Sequence, residues 1–94
     1  MRIIYMTKTK RIEKTLKALA NHRRLDILII LKKQKNVTVG EIAEIIRLSF
    51  KSTSRHLAVL AAAEIITRDQ ISSYVYYKIS PDIPTVVRHV LSTL

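Results

Sequence analysis

Behind Ser49, in the run SFKSTSRHLAVL, stand Lys51, Ser52, Ser54 and Arg55. These side chains form neither an acid–base pair nor an activated nucleophile. They are hydrogen-bond donors, two cationic and two hydroxyl, of the kind that meets phosphate oxygens and base edges. Arg55 carries a planar fork that matches the O6 and N7 acceptors of guanine, a bidentate contact worth roughly 1–3 kcal/mol of discrimination. Such donors read a duplex only when a rigid element carries them into a groove, so the surrounding pattern decides what they can do.

That pattern is helical. Val39, Ile42, Ala43 and Ile46 recur at helical spacing before Leu48; Ser49 then caps a helix from Phe50 to Ala63, whose Leu57 and Leu60 continue the apolar face. Two short helices around a tight turn make a helix-turn-helix, in which the N-terminal residues of the second helix project into the major groove. Thr53, Leu57 and Leu60 define its inward side with His56 at the edge, leaving Lys51, Ser52, Arg55 and Ala58 outward. Ser49 and Ser54, with Thr38, suit capping or phosphate contacts. His56 beside Leu57 reads as a packed, hydrogen-bonded residue first and a phosphate contact second. Phe50 either touches a thymine methyl or packs across the turn, and packing is the favoured reading. The competing account of the whole segment is an ordinary solvated helix face with a cap.

The flanking sequence supplies the rest of the scaffold. From Lys8 to Ala20, Ile12, Leu16 and Leu19 share one face, while Lys10, Lys14 and Lys17 lie elsewhere. Asn21 reads as an N-cap for a helix from His22 to Lys33, apolar around most of its circumference through Leu25, Ile27, Leu28, Ile29, Ile30 and Leu31. Ile65 to Arg68 and Tyr74 to Ile79 are strand-like, separated by the polar Asp69, Gln70, Ser72 and Ser73, and predict a β-hairpin. Alternation places Val75, Tyr77 and Ile79 toward the helices and Tyr74, Tyr76 and Lys78 outward. A closing helix starts near Pro84, with Ile83, Val86, Val87, Val90, Leu91 and Leu94 at helical intervals. The predicted architecture is mainly α with a small hairpin, α-α-α-α-β-β-α: a winged helix-turn-helix filling residues 1–94 as a single domain.

Composition narrows the partners. The chain has 94 residues, 48% of them hydrophobic, and its 17 Lys and Arg against 7 Asp and Glu leave a net charge of +10. That excess attracts polyanions, double-stranded DNA first, because each phosphate contact releases a counterion, and an anionic membrane surface second. The longest aliphatic stretch, Ile27 to Leu31, is far too short to span a bilayer, so no membrane partner is expected. The N-terminal MRIIYMTKTK lacks an export signal, which places the protein in the cytoplasm. Without cysteine there is no disulfide or thiolate chemistry, and a single glycine, Gly40, cannot build a phosphate-cradling loop. Glu41, Glu44 and Asp26 read as helix-surface charges. No catalysis and no cofactor are expected.

The segments LKALANHRRLDILIIL (Leu16 to Leu31), VTVGEIAEIIRLSFKSTSRHLAVL (Val37 to Leu60) and YYKIS (Tyr76 to Ser80) together resemble the ArsR family of bacterial and archaeal repressors. The resemblance covers nearly the whole chain. It implies a homodimer whose first and last helices pair, here through Ile12, Leu16, Leu19, Val86, Val87, Val90, Leu91 and Leu94. It also implies two recognition helices on a palindromic operator and an effector that alters DNA affinity. The family's metal sites are not reproduced: the thiolate positions are Thr38 and Gly40, Asp82 and His89 lack the close Asp-x-His spacing, and His22 stands where relatives often have proline. Relatives often carry glycine and arginine at the wing tip, where this chain has Ser72 and Ser73. Arg68, Gln70, Ser73 and Tyr74 remain as phosphate contacts of the wing.

Arg47, Glu64 and Ser72 occupy loop positions where glycine is common, which lowers the entropy of the unfolded chain if the backbone tolerates them. With the missing cysteines and the Ile and Lys content, this hints at a thermophilic archaeon, or one of its viruses or plasmids, as the source. Two other functions fit the same fold: a sequence-tolerant architectural, replication or partition protein, and a protein-interaction winged helix.

Overall fold

The apolar girdle of the second helix organises the chain in the computed structural model, which describes the backbone of residues 2–94 and the side chains of residues 7–94. This helix, α2 (His22–Lys33), buries Ile27, Leu28, Ile30 and Leu31 and packs against every other layer of the fold. Asn21 starts it, its side chain accepting the Arg24 amide at 3.1 Å. The preceding helix, α1 (Arg2–Leu19), begins earlier than its amphipathic pattern suggests, since nothing in the sequence breaks it before Lys8. The side chains of the apolar patch at Ile3 and Ile4 lie outside the described residues.

After α2 the chain pairs briefly as β1 (Val37–Thr38), then enters α3 (Val39–Ile46). Thr38 closes a capping box with Glu41: its hydroxyl accepts the Glu41 amide at 3.2 Å and the Glu41 carboxylate accepts the Thr38 amide at 3.1 Å. Arg47 ends α3 in the left-handed region at φ 54°, and the Leu48 amide reaches back to the Ala43 carbonyl at 3.0 Å. Ser49 caps α4 (Phe50–Ala62), accepting the Ser52 amide at 3.1 Å. The far end of α4 closes in the same manner. Glu64 sits at φ 61°, its amide bonded to the Ala61 carbonyl and that of Ile65 to the Leu60 carbonyl, while Ile65 and Leu60 are fully buried.

The hairpin comprises β2 (Ile66–Ile71) and β3 (Tyr74–Ile79), joined by Ser72 and Ser73. Asp69 and Gln70, expected in the loop, belong to β2, because cross-strand pairing down to Ile71 and Tyr74 overrides their polar character. The antiparallel sheet has the order β1-β3-β2, so β1 adds a third strand that the sequence did not reveal. Two residues are too few for a period-2 signal. Helix α5 (Thr85–Thr93) follows Pro84, and the Lys32 ammonium donates to the Leu91 carbonyl at 2.7 Å, tying α5 to α2.

Two expectations change. Leu19, Val87 and Leu91, assigned to a subunit interface, are buried in the chain's own core, because α1 and α5 need an inward face before they can present an outward one. Arg47, Glu64 and Ser72 all hold positive φ, where a Cβ costs roughly 1–2 kcal/mol. The entropic advantage of replacing glycine there is therefore cancelled by local strain.

Candidate nucleic-acid interface

Helix α4 stands at the surface with its first two turns outward. Thr53, Leu57 and Leu60 are buried beneath it, while Lys51 and Arg55 are exposed and Ser52 and Ser54 half-buried. Lys51 and Arg55 are one helical turn apart, so they lie side by side. Among the described residues neither makes an ion pair, and Arg68 on the wing makes none either. The whole chain carries a charge of +10. Unpaired cations on a projecting helix keep their full charge available for phosphate or for purine acceptors.

The hydroxyls divide according to what the caps require. Ser49 accepts the Ser52 amide with its oxygen, leaving its proton free to donate to a phosphate. Thr38 donates its only proton to the Glu41 carboxylate at 2.9 Å and accepts the Glu41 amide, so no donor remains for DNA. Its place is in the capping box.

His56 is half-buried, and its Nδ1 lies 3.2 Å from the Arg24 guanidinium. Arginine has only donors, so Nδ1 must accept and the ring proton sits on Nε2. Burial, then the charges of Arg24 and Arg23, hold the imidazole pKa below its ordinary 6.5. Neutral His56 is thus a packed, hydrogen-bonded residue, and any phosphate contact it makes is through a neutral N–H.

Arg23 and Arg24 are the residues that sequence reading missed. Arg24 donates from Nε to the Ala18 carbonyl at 2.6 Å, from Nη2 to the Lys17 carbonyl at 3.0 Å and through Nη1 to His56, so one side chain joins the end of α1 to α4. Arg23 donates to the Ile46 carbonyl at 2.6 Å, satisfying the end of α3. Together they fix both helices of the helix-turn-helix to α2. A signal existed. Two arginines in the first turn of a helix stand where the helix dipole disfavours cations, which implies acceptors elsewhere.

The wing splits its candidates between two faces. Cross-strand partners Ile71 with Tyr74, Asp69 with Tyr76 and Thr67 with Lys78 share one side; Gln70 with Val75, Arg68 with Tyr77 and Ile66 with Ile79 share the other. The buried Tyr77 and the partly buried Val75 and Ile79 confirm the predicted inward set. Arg68 and Gln70 are nonetheless exposed, as the hairpin projects past the core. Arg68 and Gln70 therefore flank the tip opposite Tyr74, with the exposed Ser73 between them, rather than forming one cluster. Lys78 is engaged with Asp69 at 3.3 Å, and the Tyr74 and Tyr76 rings lie 6.3 Å apart.

Phe50 corrects a further expectation. It does not pack across the turn but is 63% exposed, because the buried stripe of α4 starts only at Thr53. His22 meets Asp26 at 3.2 Å, one turn along α2, and among the described residues no group of three or more His, Cys, Asp or Glu side chains is drawn together. No described helix is long and apolar enough to cross a membrane.

Comparison with known proteins gives a consistent picture. Residues 21–68, from the α2 cap into the wing, match the model of the family described as bacterial regulatory protein, arsR family. The transcriptional repressor SdpR of Bacillus subtilis is 36% identical over 64 residues, 68% of this chain and 70% of that protein. The arsenic resistance transcriptional regulator ArsR1 of Pseudomonas putida is 31% identical over 68 residues, 72% of this chain but only 53% of that regulator's length. Reduced HlyU from Vibrio cholerae superposes with a TM-score of 0.77 at 30% identity, covering 96% of this chain and 90% of that one. The homodimeric winged helix-turn-helix DNA-binding domain of Mb0332 from Mycobacterium bovis superposes with a TM-score of 0.81 at 24% identity, covering 95% and 79%.

Proposed function

The chain belongs to the arsR family of bacterial regulatory proteins, and from that premise we propose that it is a homodimeric transcriptional repressor reading a palindromic duplex in the cytoplasm. The observation that carries the reading is the outward pair Lys51 and Arg55 on a helix whose start is fixed by the Ser49 cap and whose seat is fixed by Arg23 and Arg24. Arg55 reads a base edge, and Ser52 and Ser54 lie beside it. Lys51, Ser49 and, from the wing, Arg68, Gln70, Ser73 and Tyr74 grip the backbone.

Dimerisation is supported by what the single chain leaves uncovered. Ile12 and Leu16 are 44% and 47% exposed, and Val86, Val90 and Leu94 are only half-buried. A groove of about 800 Å³ runs between α1 and α5 past Ile12, Ala62, Pro84 and Val86, and a smaller trough follows Ile12, Leu16 and Ala20. Two such faces, brought together about a two-fold axis, cover one another and set the recognition helices about 34–36 Å apart.

A second reading, sequence-tolerant binding, is favoured by one observation: the wing tip carries Ser72 and Ser73 and no arginine. Selection of bound duplexes from a random pool, followed by titration at several salt concentrations and measurement of the mass of the complex, tests both. The repressor yields one palindromic sequence, a large ratio of specific to random affinity and two chains per site. Equal affinity for selected and random duplexes establishes the second reading. No binding at low salt leaves a winged helix that docks on protein.

A further inference from the structure

We propose that Phe50 reads a thymine through its C5-methyl group, one in each half-site, and so sets sequence preference alongside Arg55. This rests on the DNA-binding reading above and names a specificity residue within it.

Phe50 is the first residue of α4, directly after the Ser49 cap, and is 63% exposed. A ring so placed ordinarily finds cover, and its helical position beside the inward face of Thr53 and Leu57 would allow it. Leu48 does pack on the core from the same turn. The Phe50 ring instead projects, and among the described residues the one aromatic ring pair is Tyr74 with Tyr76. The folded chain leaves the ring mostly exposed and gives it no packing role in the core.

Its neighbours point to another role. Lys51 follows it, and Ser54 stands one turn further on. The first residues of a recognition helix approach the base edges most closely, so Phe50 lies in the part of α4 that meets the groove floor. Ser54 and Arg55 can satisfy acceptors there, whereas a phenyl ring has no strong donor or acceptor to offer. Of the four bases, only thymine presents an apolar group in the major groove. The chemistry thus selects a thymine methyl over any purine edge or cytosine amine. Binding also removes from water a ring that the free protein leaves in it.

The test alters the DNA before the protein. In the duplex recovered from random-pool selection, each thymine is replaced in turn by uracil, symmetrically in both half-sites, which removes the methyl and keeps the base pair. Wild-type protein should lose about three- to five-fold in affinity per half-site at one thymine. Phe50→Ala should bind the thymine duplex with a similar loss and should not distinguish thymine from uracil at that position. Phe50→Leu, which keeps an apolar tip, should retain part of the distinction. Thermal melting of each variant checks that the fold is intact, as expected for an exposed side chain.

Uniform indifference of the wild type to uracil would overturn the proposal, as would a Phe50→Ala variant that still prefers thymine at the same position. Either result leaves the repressor reading standing, since selective binding by the wild type is measured in the same experiment. A wild type that binds no duplex selectively overturns both.

Discussion

Arg24→Met removes all three hydrogen bonds that join α1 to α4 while keeping most of the apolar stem. The Ala18 and His56 contacts are partly buried and the Lys17 contact is exposed. Hydrogen bonds from a charged donor are worth roughly 1.5–3 kcal/mol each when buried and less when water can replace them. Allowing about 1 kcal/mol for each partly buried contact and a fraction of that for the exposed one gives a loss of about 2–3 kcal/mol. For a domain of this size each kcal/mol lowers Tm by about 4–8 °C, so a fall of roughly 10–20 °C follows, measured by circular dichroism. Arg24→Lys keeps the charge but only one donor nitrogen and should fall between wild type and Arg24→Met, since an ammonium cannot reproduce the fork. Removing the cation should also raise the His56 pKa toward 6.5, which is visible in its ring proton shifts, because the Arg24 charge is the second cause of its depression after burial. A Tm lowered by less than about 3 °C in Arg24→Met, with His56 titrating as in the wild type, would refute the assignment of Arg24 as the tie between these helices.

Arg55→Ala should relax preference at one base pair of the selected site, whereas Lys51→Ala should weaken selected and random duplexes alike and reduce the magnitude of the log K against log salt slope by about 0.9 per lost phosphate contact, as read by fluorescence anisotropy. Leu16→Glu should leave a folded monomer by light scattering and reduce affinity for a palindrome at least ten-fold, because the second half-site is no longer tethered to the first. Glu64→Gly should raise stability by about 0.5–1 kcal/mol, measured by denaturant unfolding, because it relieves the positive φ at the end of α4 by more than it adds to unfolded-chain entropy. His56 sets a pH dependence of known sign. Its folded pKa lies below its unfolded value, so its contribution is complete above about pH 6.5 and is lost as pH falls from there through the folded pKa. In His56→Asn the amide oxygen can replace Nδ1 as acceptor, and the fall in Tm over that window should flatten.

The sequence determined the helices, the hairpin and their order, though not β1, and marked α4 as the candidate reading helix. Helical recurrence of Val39, Ile42, Ala43 and Ile46, the caps at Thr38, Asn21 and Ser49, and the alternation of Tyr74 to Ile79 are local signals, set by backbone hydrogen-bonding needs and by burial of one face. The outward placement of Lys51 and Arg55 follows from the same periodicity. Tertiary structure decided what periodicity cannot express. An apolar side chain on a helix face reads the same whether it meets its own core or another surface, so only packing showed that Leu19, Val87 and Leu91 turn inward while Ile12 and Leu16 stay open. Phe50 likewise shares the inward side of α4 by helical position, yet the buried stripe starts only at Thr53. The bonds from Arg23 and Arg24 to Ile46, Ala18, Lys17 and His56 span up to 32 positions in sequence, and long side chains leave no record of their partners in the chain around them. Local pattern reports what each segment needs, and only the folded chain shows which distant group supplies it.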